Sequence, residues 1–143
     1  MSWSLRQTRG GSDRRYAGSG AEQLVKDEEI DLVMRSVILQ GMAALPPEAL
    51  PKHLSGLIPA VTAIRDAATA SGYSPAAFCM RFMLQTHAEI SVVFGVLSAR
   101  QLDAFEEVLN GSAIDEALIE RVIRGASLND LSLIDPRQWP RSP

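Results

Sequence analysis

Ile90-Ser91-Val92-Val93-Phe94-Gly95-Val96-Leu97-Ser98-Ala99-Arg100-Gln101-Leu102 reads as a short strand, Ile90 to Phe94, that passes through a glycine-marked turn into a helix capped by Ser98. Gln101, three residues beyond Ser98, completes the reciprocal capping pattern, and Asn110-Gly111 stops the helix after Leu109. The same order stands earlier in the chain. Ile30-Asp31-Leu32-Val33-Met34-Arg35-Ser36-Val37-Ile38-Leu39-Gln40-Gly41 is a nearly continuous apolar run, as expected of a strand covered on both faces, and only Arg35 and Ser36 interrupt it. Strands that alternate with helices imply a parallel sheet, whose ligands gather at the carboxyl ends of its strands. The spacing therefore predicts an α/β fold, helix-rich, with about two parallel strands.

Between the strands, Pro46, Pro47, Pro51 and Pro59 predict a long irregular loop with at most one helical turn, around Glu48 to Leu50. Ile58, Val61, Ile64, Ala67 and Ala68 recur at helical spacing up to Ser71, and Gly72 stands in the favoured stop position. Ser74-Pro75 opens a second helix, cap then first helical residue, which Ala77, Phe78, Met80, Arg81, Met83 and Leu84 carry to about Gln85. It is apolar on most sides and is expected inside. Ser112 and Asp115 predict a further capping pattern for a last helix bearing Leu118, Ile119, Val122 and Ile123. The tail after Gly125 reads as irregular, with Trp139 packing back onto the body. Residues 1–20, rich in Arg, Gly and Ser, read as a flexible leader, and 21–27 as a short helix ahead of residues that form one domain over 21–143.

Composition bounds the function. The chain has 143 residues, 46% of them hydrophobic, the size of one globular domain. A net charge of −3 with interspersed signs disfavours a nucleic-acid surface, which needs a clustered positive field. No run of about 18 apolar residues suggests a membrane span. The single cysteine, Cys79, cannot form an internal disulfide framework or a cysteine zinc site, and it fits a reducing cytoplasm.

Chemistry is best placed at the turn from Gly95 to Gln101. A helix amino terminus offers unpaired N–H groups and the positive end of its dipole to a phosphate. Gly95 allows close backbone approach, Ser98 offers a hydroxyl, and Arg100 or Gln101 can reach an oxygen. The same capping residues also occur wherever a helix simply follows a strand. Arg35 and Ser36 need compensation inside an apolar strand, from Asp31 or Glu89 or from a ligand. His53 and His87 lack metal-ligand spacing, so no metal site is expected. No Gly-x-Ser-x-Gly elbow occurs, Tyr16 and Tyr73 sit in the leader and in an interhelical turn, and Cys79 reads as inert packing.

On these residues the chain resembles the carboxyl-terminal part of an aldo/keto reductase. The segment Arg35-Ser36-Val37-Ile38-Leu39-Gln40-Gly41 is similar to the end of the family's seventh barrel strand. Val92 to Leu102 is similar to its eighth strand, turn and following helix, and Ile134-Asp135-Pro136-Arg137-Gln138-Trp139 to the close of one bacterial branch. The resemblance spans about Ser12 to Trp139. It implies a partial (β/α)₈ TIM barrel that binds NADP, with Ser36, Gly95, Ser98 and Gln101 as the cofactor contacts by position. The family's frequent Glu-Asn pair falls here at Ala104 and Phe105, and the phosphate-binding Lys of many members at Gly95.

The family's catalytic Asp, Tyr, Lys and His belong to the first half of the barrel. Tyr16, Tyr73, Lys26, Lys52, His53 and His87 match none of those motifs, so no catalytic residue is assigned and no hydride transfer is expected of this chain alone. Two readings remain. One is a truncated or split NADP-dependent oxidoreductase that needs a complementary barrel fragment. The other is a non-enzymatic interaction or homodimerisation module. A helix-turn-helix reader built around Gly72 is disfavoured by the apolar second helix.

Overall fold

The structure, a computed structural model, describes residues 32–35, 37–86, 90–126 and 130–140. The expected leader at 1–20 and the short helix at 21–27 lie outside the described residues.

Helix α1, Ile58–Ala70, follows the expected spacing, with Ala60, Val61, Ile64, Ala67 and Ala68 as its buried stripe. Pro59 sits in the first turn, where a missing N–H breaks no intrahelical bond. Gly72 closes it at a φ of +75°. That left-handed conformation lets the Gly72 N–H donate to the Thr69 carbonyl at 3.2 Å and the Tyr73 N–H to the Ala68 carbonyl at 2.9 Å, a Schellman closure. Helix α2, Pro75–Thr86, begins after Ser74, whose Oγ accepts the Ala77 N–H at 3.2 Å. Ala77, Phe78, Cys79, Met80, Phe82 and Met83 are all buried, so α2 has little outward face.

Helices α3, Ala99–Asn110, and α4, Glu116–Gly125, complete the helical body. The start of α4 differs from the Ser112 cap read in the sequence: the Asp115 carboxylate accepts the Ala117 N–H at 2.7 Å, and the helix opens at Glu116. The residues before it are held by other contacts, since the Ser112 carbonyl accepts the Tyr73 hydroxyl at 2.6 Å. Helix α1 packs on α2 and α4, and α2 packs on α3. One hydrophobic core fills the space between them, with Phe78, Phe82, Leu54, Met83, Ile119 and Ile134 among its fully buried side chains.

The proline-rich stretch is more regular than expected. It forms 3₁₀ turns at Leu39–Ala44, Pro47–Ala49 and Lys52–Leu57. The prolines fix φ near the value such turns need, as in the bonds from the Ala49 N–H to the Pro46 carbonyl at 2.9 Å and from the Leu54 N–H to the Pro51 carbonyl at 2.8 Å. Leu54 and Leu57 are thereby delivered to the core. In the tail, the turns at Leu131–Ile134 and Pro136–Gln138 are capped by Asp130 and Asp135. Half-buried Trp139 returns to the core, with the His53 ring edge-on at 6.3 Å.

The partial (β/α)₈ barrel expected from the sequence is corrected by this arrangement. Strands β1, Leu32–Arg35, and β2, Ile90–Val93, are only four residues each and pair in parallel, from Leu32 with Ile90 to Arg35 with Val93. The first strand does not continue to Leu39, because Leu39 and Gln40 turn back through left-handed φ values of 47° and 54°. A barrel arc needs each strand sandwiched between an interior and a covering helix. Here Ser91 and Val93 on β2 are exposed, and the buried volume lies among helices packed on one another. The described residues are a helix-rich body with a small two-stranded ladder beside it.

Candidate functional site

The chain leaves β2 through Phe94, Gly95, Val96 and Leu97 and enters α3 at Ser98, whose backbone is extended at φ −156° and ψ 155°. Ser98 Oγ accepts the Gln101 N–H at 3.3 Å, as the capping pattern requires. The reciprocal bond is displaced by one residue: Gln101 Oε1 accepts from the Leu97 N–H at 2.7 Å rather than from Ser98. Both polar side chains of the expected phosphate turn are thus engaged in starting the helix. The N–H groups of Ala99 and Arg100, in the first turn, have no intrahelical acceptor. Gly95 is exposed, and a Cβ placed on it meets nothing within 4 Å, so packing does not demand glycine there. The Arg100 side chain is exposed as well.

The structure does not bring every expected residue to this turn. Ser36, the fourth expected cofactor contact, lies outside the described residues, as do Asp31, Glu89, His87, Tyr16 and Lys26. His53 and Tyr73 are placed elsewhere, on Trp139 and on the Ser112 carbonyl. Gln40, at the exit of the first apolar run, is exposed in the left-handed turn after Ile38. Cys79 is fully buried, and burial pushes its thiol up to about 12, which keeps it protonated and unreactive at neutral pH. Among the described residues no three of His, Cys, Asp and Glu gather as a metal site, and no helix is long and apolar enough to cross a membrane.

Beside the turn lies a feature that the sequence reading did not single out. A groove of about 380 Å³ runs between α2, β2 and α3, with Met80, Leu84, Val92, Phe94, Phe105 and Leu109 on its walls. Phe94 and Phe105, both lining it, meet at 4.2 Å between ring centroids. Glu106 is its one charged lining residue. The rim is also apolar: Leu97 is 95% exposed, Leu109 66% and Leu102 54%. A signal for it existed in the heptad spacing of Leu102 and Leu109, with Phe105 and Val108 between them. Val108 and Phe105 turn inward, which leaves the two leucines on the outer shoulder. Arg81 of α2 supports α3 from below by donating to the Val108 carbonyl at 3.4 Å.

No protein-family model, curated protein or solved structure matches the chain.

Proposed function

We propose that this chain is the cofactor-holding part of an NADP-dependent, aldo/keto-reductase-like oxidoreductase, working in the cytoplasm and incomplete until another polypeptide covers the face beside its turn. The observation that carries this reading is the turn itself: an open glycine at the carboxyl end of a strand, followed by a capped helix whose first N–H groups have no intrahelical acceptor. Such a terminus suits a pyrophosphate, with Arg100 exposed alongside for a further phosphate oxygen. The segment Val92 to Leu102, which carries the resemblance, coincides with this turn. Ser98 and Gln101 act by building the cradle, since their side chains hold the helix start together.

The apolar groove supports the second half of the reading. A cofactor site bordered by uncovered leucines is an unfinished one, because exposed apolar patches of this kind mark surfaces that another body covers. The acid needed to protonate a carbonyl oxygen is also to come from elsewhere: the Tyr73 hydroxyl is committed to Ser112 and His53 packs on Trp139.

Calorimetric titration of the purified full chain with NADPH tests this. Saturable binding is expected, weakened about tenfold by Arg100→Ala through loss of one charge-assisted contact. Gly95→Val, which fills the space above the turn without meeting protein atoms, is expected to block binding while leaving the fold intact. A folded chain that fails to bind NADPH as monomer or oligomer refutes the reading.

A further inference from the structure

We infer that Asn110, at the carboxyl end of α3, is a site of spontaneous deamidation, in which the Gly111 backbone nitrogen attacks the Asn110 side-chain amide. Asparagine is a thermolabile residue, and it is most reactive where the next residue has no Cβ to shield its nitrogen. The chain has two asparagines; Asn110 precedes a glycine and Asn129 precedes Asp130. The sequence permits the reaction at Asn110, and the fold leaves it room. Asn110 is exposed and is the last residue of α3, so its carbonyl has no intrahelical donor and a single peptide unit has to swing for the Gly111 nitrogen to meet Cγ.

The bonds that oppose this swing are weak. The Gly111 N–H donates to the Val108 carbonyl at 3.4 Å and Asn110 Nδ2 donates to the Glu106 carbonyl at 3.4 Å, both longer than the usual limit of about 3.2 Å. Closely held groups begin only beyond Gly111, with the Ser112 carbonyl accepting the Tyr73 hydroxyl at 2.6 Å and Ile114 clasped by Gln85. Gly111 itself is extended, at φ −75° and ψ 163°, and the next helix opens at Glu116. The joint is thus anchored on both sides of the reactive pair and loose at it.

The Gly111 nitrogen gives its proton to solvent hydroxide and bonds to Asn110 Cγ. The bond from Cγ to Nδ2 breaks, and the amide nitrogen leaves as ammonia with a proton from water, closing a succinimide ring. Water then opens the ring at either carbonyl, leaving an aspartyl or isoaspartyl residue at position 110. One water enters and one ammonia leaves. Either product sets a negative charge at the negative end of the α3 dipole. The isoaspartyl form also adds a methylene to the backbone between buried Val108 and the Ser112 carbonyl that Tyr73 grips.

Incubation of the full chain, native and unfolded in guanidinium chloride, tests the inference through peptide mass spectrometry and isoaspartate labelling. The expected result is amide-to-acid conversion at residue 110, with a native rate within about thirtyfold of the unfolded one, the slowing that two hydrogen bonds of ordinary net strength impose. Gly111→Ala, which φ −75° admits, is expected to slow the native reaction, and Asn110→Gln to abolish it, with circular dichroism of both variants unchanged. A native rate more than about a hundredfold below the unfolded one, which requires a larger cooperative opening, overturns the inference. Conversion confined to residue 129, or indifferent to Gly111→Ala, overturns it as well.

Discussion

Replacing Gln85 with methionine should destabilise the whole body, although the residue touches neither the turn nor the groove. The Gln85 side chain lies in the last turn of α2 and bonds twice to one residue 29 positions away. Its Nε2 donates to the Ile114 carbonyl at 2.8 Å, and its Oε1 accepts the Ile114 N–H at 2.8 Å. The amide thus does for Ile114 what a neighbouring strand would do, and it fixes the α3–α4 connection against α2. Methionine has nearly the same length and shape, so packing is kept while both bonds vanish. Ile114 is only 2% exposed, so its backbone groups are left without water to replace the lost partners. Two net hydrogen bonds of about 1 kcal/mol each, plus part of the penalty for stranding a buried donor and acceptor, give about 2–4 kcal/mol. Against the roughly 5–15 kcal/mol that holds an ordinary domain together, that is a large fraction.

Urea unfolding followed by circular dichroism reads the loss directly, as a lower midpoint at unchanged slope. Gln85→Glu separates the two bonds. At neutral pH its carboxylate can still accept the Ile114 N–H, but a second acceptor then faces the Ile114 carbonyl, so it should be no milder than methionine. Protonating that carboxyl restores a donor and should narrow the gap to wild type at low pH. A methionine variant within about 0.5 kcal/mol of wild type would refute the reasoning, because the paired bonds would then be replaceable by solvent.

Two further predictions concern other joints of the same body. Gly125→Ala places a Cβ 2.9 Å from the Ala63 Cβ, a contact between two short, rigid groups on α4 and α1; the helices must separate, at a cost of about 1–3 kcal/mol measured as a drop in thermal midpoint, whereas Gly95→Ala meets no atom and should leave that midpoint unchanged. The Asp135 carboxylate accepts from Arg137 Nε at 2.8 Å, Arg137 Nη2 at 2.7 Å and Gln138 Nε2 at 3.1 Å, and the Arg137 and Gln138 bonds hold it well below the usual carboxylate range. A depressed folded-state value means that its stabilisation is complete above about pH 4 and fades as the pH falls further, so the acid-unfolding difference between wild type and Asp135→Asn should shrink below that point.

The helices were legible because each announces itself locally. Ile58 to Ser71 carries its own apolar period and its own glycine stop, and Ser74-Pro75 its own cap, so α1 and α2 needed no knowledge of the rest of the chain. The first strand was legible in kind but not in extent. Val37, Ile38 and Leu39 are as apolar as Leu32 and Val33, and nothing in composition reveals that Leu39 and Gln40 adopt positive φ as the chain turns into Gly41. The barrel was implied by the resemblance of Arg35–Gly41 and Val92–Leu102, short segments whose apolar runs fit more than one surrounding. A continuous apolar run says that a segment is buried, and burial among helices or inside a closed sheet leaves the same mark. Gln85 was invisible for the opposite reason, since its partner is 29 residues distant and no local rule connects them.

The turn and the groove share helix α3. Ser98 and Gln101 set where α3 begins, and that start fixes which of its residues face outward. Moving the start by one residue would rotate the leucine line by about 100° around the helix axis and carry Leu102 and Leu109 off the groove. The cap therefore acts on the apolar face as well as on the amino-terminal N–H groups, and anything that anchors on those groups steadies the same register.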